Sequence, residues 1–302
     1  LESKDRLFTY CIEEDARGPY VSIESYVSDV KAVQIPDFVD NIPVKELKPY
    51  VFAGNAHREV YLPGTIRRIG RYGFYNCREL NFLSFHSNIE DVGSGCFTGC
   101  HKVKTLEVTM TDDTFSCFRE ILSEFSEELY VIYHGEEEAR LMFPEFYEEG
   151  VENTPARILM TEVHGSGIHY RNCFQGARFH FQEYDARFPM AKARESQEFS
   201  IKLALGRLSF PCQLSGNAKE EYKNYLLERQ TLVVRSLIER QEPELLMWFL
   251  EDVSRKKRLG EEELQEALQF AQRKGDARIC ACLMEYQGRY GSRRSSIEDM
   301  EL

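Results

Sequence analysis

The stretch RRIGRYGFYNCRELNFLSF, residues 67–85, is followed by EDVGSGCFTGCHKVKTLEV, residues 90–108, at an offset of 23. At that offset Ile69 matches Val92, Phe74 matches Phe97 and Cys77 matches Cys100. The apolar triplets beside them keep the step: Val60-Tyr61-Leu62, Leu83-Ser84-Phe85 and Leu106-Glu107-Val108, with Val33-Gln34-Ile35 coming 27 residues before the first. Each unit reads as a short strand with alternating inward residues, a turn at Pro36 or Pro63, a second apolar pair such as Ile66 and Ile69, and a glycine-rich corner leading to an inward Phe. One such unit cannot bury its apolar edge alone, so neighbours must stack into a solenoid whose strands pair in parallel.

The segments VQIPDFVDNIPVKELKPYVFAGN, VYLPGTIRRIGRYGFYNCRELNF and LSFHSNIEDVGSGCFTGCHKVKT resemble the BspA-like class of leucine-rich repeats. The opening YVSIESYVSDVKAVQIPD is similar to the lead-in that often precedes such repeats, so the resemblance covers roughly residues 6–110. It implies a binding scaffold of a kind used on bacterial surfaces. Stacking places Cys77 and Cys100 on adjacent coils, about 4.8 Å apart. They read either as a disulfide or as two small thiols filling equivalent core slots, and a reducing compartment favours the second.

The bulk composition narrows the function classes. The 302 residues are 42% hydrophobic, enough for two or three cores. A net charge of -12 repels a phosphate backbone, so nucleic acid is not an expected partner. No run approaches the roughly 18 apolar residues of a membrane helix, so no membrane insertion is expected. The start LESKDRLFTY lacks the basic-then-apolar order of a secretory leader. Nine scattered cysteines without a CxxC pair read as reduced thiols in the cytoplasm. A leader removed before Leu1 would instead allow a cell-surface or secreted protein.

From residue 217 onward the pattern is helical, with helices expected near 217–229, 231–241, 243–256, 261–273 and 276–289. Asn217, Pro243 and Asp276 stand at favoured helix starts, and Gly260 and Gly275 supply breaks. LIERQEPELLMWFLED aligns with FAQRKGDARICACLMEY at an offset of 33, pairing Leu246 with Ile279 and Leu250 with Leu283. The second copy resembles the two-helix part of an ankyrin repeat, over residues 231–290, and EFSIKLALGRLSFPCQLSGNAKEEYKNYLL reads as a degenerate earlier unit. The basic run Arg255-Lys256-Lys257-Arg258 reads as a solvated helix end, and residues 291–302 as a disordered tail.

The middle belongs to neither period. DDTFSCFREILSEF reads as a helix capped by Asp112 or Asp113, ELYVIYH as a strand, EEEARLMF as a short acidic helix and ARILMTEV as another strand. Residues 162–194 concentrate histidines, arginines and aromatic rings. Cys173 with His164, His169 or His180 would be a thiol nucleophile and its base. The three histidines lack the spacing of a metal motif. The Gly165-Ser166-Gly167 turn could cradle an anion beside Arg171 or Arg178, though a plain hairpin connection is the commoner reading. The rings of Tyr170, Phe174, Phe179, Phe181, Tyr184 and Phe188 read first as a packed core. The sharper alternative leaves Tyr170, Arg171, Phe174, Arg178 and Phe181 as interface anchors.

The resulting expectation is an α+β multidomain chain. Residues 1–110 form a leucine-rich-repeat β-solenoid, 111–195 a mixed α/β middle module, 196–290 an α-helical hairpin array of ankyrin-like type, and 291–302 the tail. With no catalytic, cofactor-binding or metal residues assigned and no cofactor implied, the function expected is a bacterial scaffold or adaptor for a protein partner of unknown identity. An extracellular adhesin and an enzyme, either hydrolase or transferase, using residues 162–194 are the alternatives.

Overall fold

The computed structural model describes residues 7–111, 116–153 and 158–290. The chain divides into two compact units, Leu1–Phe199 with Phe210–Leu214, and Ser200–Ser209 with Ser215–Leu302. The expected tail and the Asp112 or Asp113 cap lie outside the described residues.

The first unit coils between two six-stranded sheets. Strands β1 (Phe8–Asp15), β2 (Gly18–Tyr26), β3 (Ala32–Gln34), β4 (Phe38–Val39), β5 (Ile42–Leu47), β6 (Glu59–Tyr61), β7 (Arg68–Ile69), β8 (Phe82–His86), β9 (Asp91–Val92) and β10 (Thr105–Thr109) precede a short helix, α1 (Phe118–Ser123). After it come β11 (Leu129–His134) and β12 (Glu138–Phe143). One sheet runs β1-β2-β5-β7-β9, with β4 beside β5, and the other runs β3-β6-β8-β10-β11-β12. The repeated triplets pair in parallel and in register, Val60 with Leu83 and Leu83 with Leu106. Those residues are at most 1% exposed, as alternation on a half-buried strand requires. This is the β-solenoid that the 23-residue period demanded, followed by a helical region.

Inside the coils the repeated Phe builds an aromatic spine. Phe52, Phe74 and Phe97 stack with centroids 4.9 and 5.1 Å apart, and the line continues to Phe125 at 5.1 Å and back to Tyr26 at 5.2 Å. Beside it runs a hydrogen-bond ladder. Asn55 Nδ2 donates to the Tyr26 carbonyl (3.1 Å), the Cys77 thiol to Phe52 (3.0 Å) and the Cys100 thiol to Phe74 (2.9 Å). Cys77 and Cys100 are free and buried, each acting as a small donor that closes one coil on the last. The coils approach so closely that a Cβ on Gly93 would lie 2.2 Å from the Arg71 nitrogen. At the next corner Gly95, with φ 64°, leaves room for the Tyr72 ring.

The sheet led by β1 carries an ionic network. Glu13 accepts from Lys48 Nζ (2.7 Å) and the Tyr20 hydroxyl (2.7 Å), while Glu46 accepts from Ser22 (3.1 Å) and Arg68 (3.1 Å). The hydrogen bonds from Lys48 and Tyr20 hold the Glu13 carboxyl at about 2. A carboxylate pKa depressed by folding contributes stability that is present above the unfolded value and lost as pH falls toward the folded one. Thermal melts are therefore expected to show Glu13→Gln less stable than the parent at pH 6, with the gap closing between about pH 4.5 and 2. A gap independent of pH would remove this role from Glu13.

β12 corrects the acidic helix expected over residues 136–143. It pairs antiparallel with β11, Val131 opposite Leu141, and buries Ala139, Leu141 and Phe143 completely. The three glutamates that suggested a helix face, Glu136 to Glu138, occupy the exposed turn and the first strand position. A hairpin, β13 (Phe146–Asn153) and β14 (Ile158–Gly165), follows, then α2 (Gly167–Arg171), the two-residue strands β15 (Phe174–Gln175) and β16 (Arg178–Phe179), α3 (Phe181–Ala186) and α4 (Phe188–Arg194).

The remaining helices are α5 (Gln197–Ser209), α6 (Gly216–Glu228), α7 (Gln230–Glu239), α8 (Pro243–Trp248), α9 (Glu261–Lys274) and α10 (Ala277–Tyr290). Ser215, not Asn217, caps α6, accepting from the Ala218 N–H. Asp276 caps α10 through the N–H groups of Arg278 and Ile279, each at 3.0 Å. The helix expected over 243–256 is α-helical only to Trp248 and continues as a π-turn, Phe249–Val253. There the Ser254 N–H reaches the Phe249 carbonyl (2.9 Å) and its hydroxyl the Leu250 carbonyl (2.9 Å). Side chains 32 and 34 residues apart meet, Thr231 with Glu263 and Glu244 with Arg278, so helices one period apart lie side by side.

Candidate protein-binding face

Alternation that buries Val60, Leu83 and Leu106 turns their neighbours outward from the sheet led by β3, and register aligns those neighbours in rows. Glu59, Phe82, Thr105 and Tyr130 form one row across β6, β8, β10 and β11. Tyr61, Ser84, Glu107 and Ile132 form the next, with Arg140 of β12 continuing it. All are half-buried by one another yet reach solvent.

The face has two chemistries. Toward β6 and β8 it is aromatic: the Tyr61 and Phe82 rings lie 5.2 Å apart, and the Tyr61 hydroxyl donates to Glu59 (2.9 Å). Burial, with Glu59 beside it, raises the Tyr61 pKa and keeps the phenol a donor at neutral pH. Toward β11 and β12 it is ionic. His134 lies between Glu107 (Nε2, 3.0 Å) and Glu138 (Nδ1, 3.2 Å), and Arg140 pairs with Glu138 (3.1 Å). Ring surface beside tethered charge suits recognition of a polypeptide surface. The rows were not singled out from the sequence, although the alternation that exposes Tyr61 and Phe82 is the same signal that buries Val60 and Leu83.

Most of the aromatic rings of residues 162–194 are buried within the first unit. Tyr170, Arg171 and Phe181 are at most 3% exposed, so among the five interface candidates only half-buried Phe174 and exposed Arg178 reach solvent. Arg171 reaches four carbonyls. Nε donates to Phe125 (2.8 Å), Nη2 to Glu127 (2.6 Å), and Nη1 to both Pro144 and Gly167. Burial pulls this guanidinium down to about 10, still charged at neutral pH. The Tyr184 hydroxyl donates to the Met142 carbonyl (2.7 Å) and accepts from its N–H (2.8 Å), closing the edge of β12. Phe181 meets Tyr133 edge to face at 5.3 Å.

The chemistry suggested for this segment takes other forms. Cys173 is buried, its thiol donates to the His169 carbonyl (3.3 Å), and burial pushes it up to about 11, opposite to the shift a nucleophile needs. His164 pairs with Glu149 on β13, and His180 caps α3 by accepting from the Glu183 N–H. Among the described residues no three His, Cys, Asp or Glu side chains gather in a way that could hold a metal ion. The Gly165-Ser166-Gly167 turn does cradle an anion, supplied by the protein itself. Glu195 accepts from both the Ser166 N–H and its hydroxyl, while Arg171 is engaged with the carbonyls above.

Residues 28–130 match the BspA type leucine rich repeat region in six copies, and that match suggests a protein-binding or adhesin-like role for the coils. The match runs past residue 110 to β11, where the parallel pairing and the Phe125 spine position also run. A leucine rich cell surface protein from Faecalibacterium prausnitzii A2-165 is 23% identical over 34% of this chain and 28% of its own, with a TM-score of 0.27. This chain thus spans under a third of that protein's length. A leucine rich repeat protein of T. pallidum is 17% identical over 35% of this chain and 71% of its own, with a TM-score of 0.24. Among curated proteins none matches. No helix among the described residues is long and apolar enough to cross a membrane.

Proposed function

We propose that this chain is a non-catalytic bacterial scaffold or adaptor whose leucine-rich coils hold a protein partner on the face led by Tyr61, Phe82 and Tyr130. The observation that carries the reading is the in-register row of rings and carboxylates on a sheet whose opposite side is core. Strands buried on both faces would read as continuous apolar runs, whereas these keep polar and aromatic side chains on the outward one. Ladder thiols such as Cys77 and Cys100, held as hydrogen-bond donors, support a reducing compartment and the adaptor version over the surface adhesin. The helical hairpins would serve as a second repeat array.

The test is affinity capture from a bacterial lysate with the full chain and with Tyr61→Ala/Phe82→Ala. A protein enriched by the parent is expected to fall at least about tenfold with the double variant, as hot-spot rings do. It should persist with Lys102→Ala, an exposed residue paired with Glu79 away from the rows. Equal enrichment by the parent and the double variant would remove this face as the recognition surface.

A further inference from the structure

The outward side of the sheet led by β3 has a hollow at Ser84. Register puts Tyr61 and Glu107 on either side of it, one strand spacing or roughly 4.8 Å away. Phe82 and His86 precede and follow it by two residues on β8, about 6.6 Å along the strand. The contacts of these larger side chains lead away from Ser84. The Tyr61 hydroxyl reaches Glu59 and its ring meets Phe82, Glu107 accepts from His134, and His86 lies over Gly64. A small residue is thus left uncovered among two rings, an imidazole and a carboxylate, all of them half-buried.

The charges around the hollow do not balance. Glu59 has no cationic partner, and Glu107 has only His134, which it shares with Glu138. Arg140, the one Lys or Arg among the described residues of these rows, pairs with Glu138 at 3.1 Å. Lys31, Arg58 and Lys104 stand one position before the strands, and none forms an ion pair with Glu59 or Glu107. Both carboxylates act at the Tyr61 ring: after burial, Glu59 and then Glu107 raise its phenol pKa. Each keeps acceptor positions free, since a carboxylate offers about four. Ring faces beside carboxylates that lack a cation attract one. Arginine suits the place better than lysine, because its flat guanidinium stacks on rings while presenting a fork of donors to a carboxylate.

We propose that the sheet face takes a basic segment of its partner, seating an arginine over Ser84 with its guanidinium against the Tyr61 and Phe82 rings and between Glu59 and Glu107. This rests on the reading of that face as the recognition surface and adds the chemistry of what it recognises.

Fluorescence anisotropy on the full chain tests it at about pH 8, where an ordinary histidine is neutral. The probes are a labelled peptide of about nine residues alternating arginine and serine, and a twin with citrulline for every arginine, which keeps the shape without the charge. The arginine peptide is expected to bind, less tightly as salt rises, and the citrulline twin about tenfold or more weakly. Glu59→Gln/Glu107→Gln keeps the acceptors for Tyr61 and His134 and should weaken binding about tenfold or more. Glu261→Gln/Glu262→Gln makes the same change in net charge at exposed positions of α9 and should leave it unaltered. Ser84→Leu fills the hollow without touching a charge and should abolish binding. Circular dichroism checks that each variant keeps its fold. No binding of the arginine peptide, equal loss with the two glutamine pairs, or full binding to Ser84→Leu would each overturn the proposal. Equal binding of both peptides, lost with Tyr61→Ala/Phe82→Ala, would overturn the arginine while the face stood as a recognition surface. The lysate capture decides that face separately.

Discussion

Arg171→Ala is expected to lower the stability of the solenoid unit by about 3–5 kcal/mol, because one charged donor group serves four main-chain carbonyls and hydrogen bonds to charged groups are the strong ones. The guanidinium is 3% exposed and is hydrogen-bonded to the carbonyls of Phe125, Glu127, Pro144 and Gly167. Alanine leaves four acceptors without that donor, and each buried unpaired group costs about 1–3 kcal/mol before relaxation. Arg171→Lys should recover less than half of the loss, because an ammonium offers three donors from one point and these carbonyls lie around a planar fork. Urea melts followed by far-ultraviolet circular dichroism give the comparison. A loss below about 1 kcal/mol for the alanine variant would mean that water replaces the fork and that the residue is dispensable.

Phe74→Ala should cost a similar amount, about 3–5 kcal/mol, because the ring is fully buried and its removal leaves a cavity between two coils that cannot close. The loss includes two stacked contacts, to Phe52 and Phe97, each worth about 0.5–1.5 kcal/mol beyond the buried area. Phe74→Leu keeps most of the volume and should cost clearly less. Phe125→Ala is the informative companion. If the solenoid runs to β11 as the spine indicates, its cost should approach that of Phe74→Ala. A small effect would make Phe125 a lid rather than a coil position.

What could be read from the chain follows how local each interaction is. The 23-residue step exposed the parallel register of Leu83 and Leu106 because every coil repeats the same contacts with its neighbour. The period has no place for Phe125, which reaches the same spine from behind a helix and breaks the repeat spacing. β12 was missed because its glutamates suggest a helix face, while its strand character comes from pairing with β11. Arg171 looked like a surface anchor because arginine usually is one, and only the meeting of residues 125, 144 and 167 in space creates its buried set of acceptors. Glu195 filling the Gly165-Ser166-Gly167 turn is likewise a contact across 29 residues that no local pattern announces.

The single tryptophan, Trp248, lies in the second unit, on α8 beside the π-turn, while the first unit is rich in stacked tyrosine and phenylalanine rings. Intrinsic emission excited at the red edge therefore sees only the helices and is blind to the solenoid. The near-ultraviolet dichroism of packed rings such as Tyr26 and Tyr184 carries much of the signal from the first unit. Trp248 thus labels the second unit alone without any added dye, whereas the tyrosine signal of the first unit is joined by that of Tyr222, Tyr225 and Tyr286 in the second. A single melting experiment read at both wavelengths would show whether the two units unfold in one cooperative step or in succession.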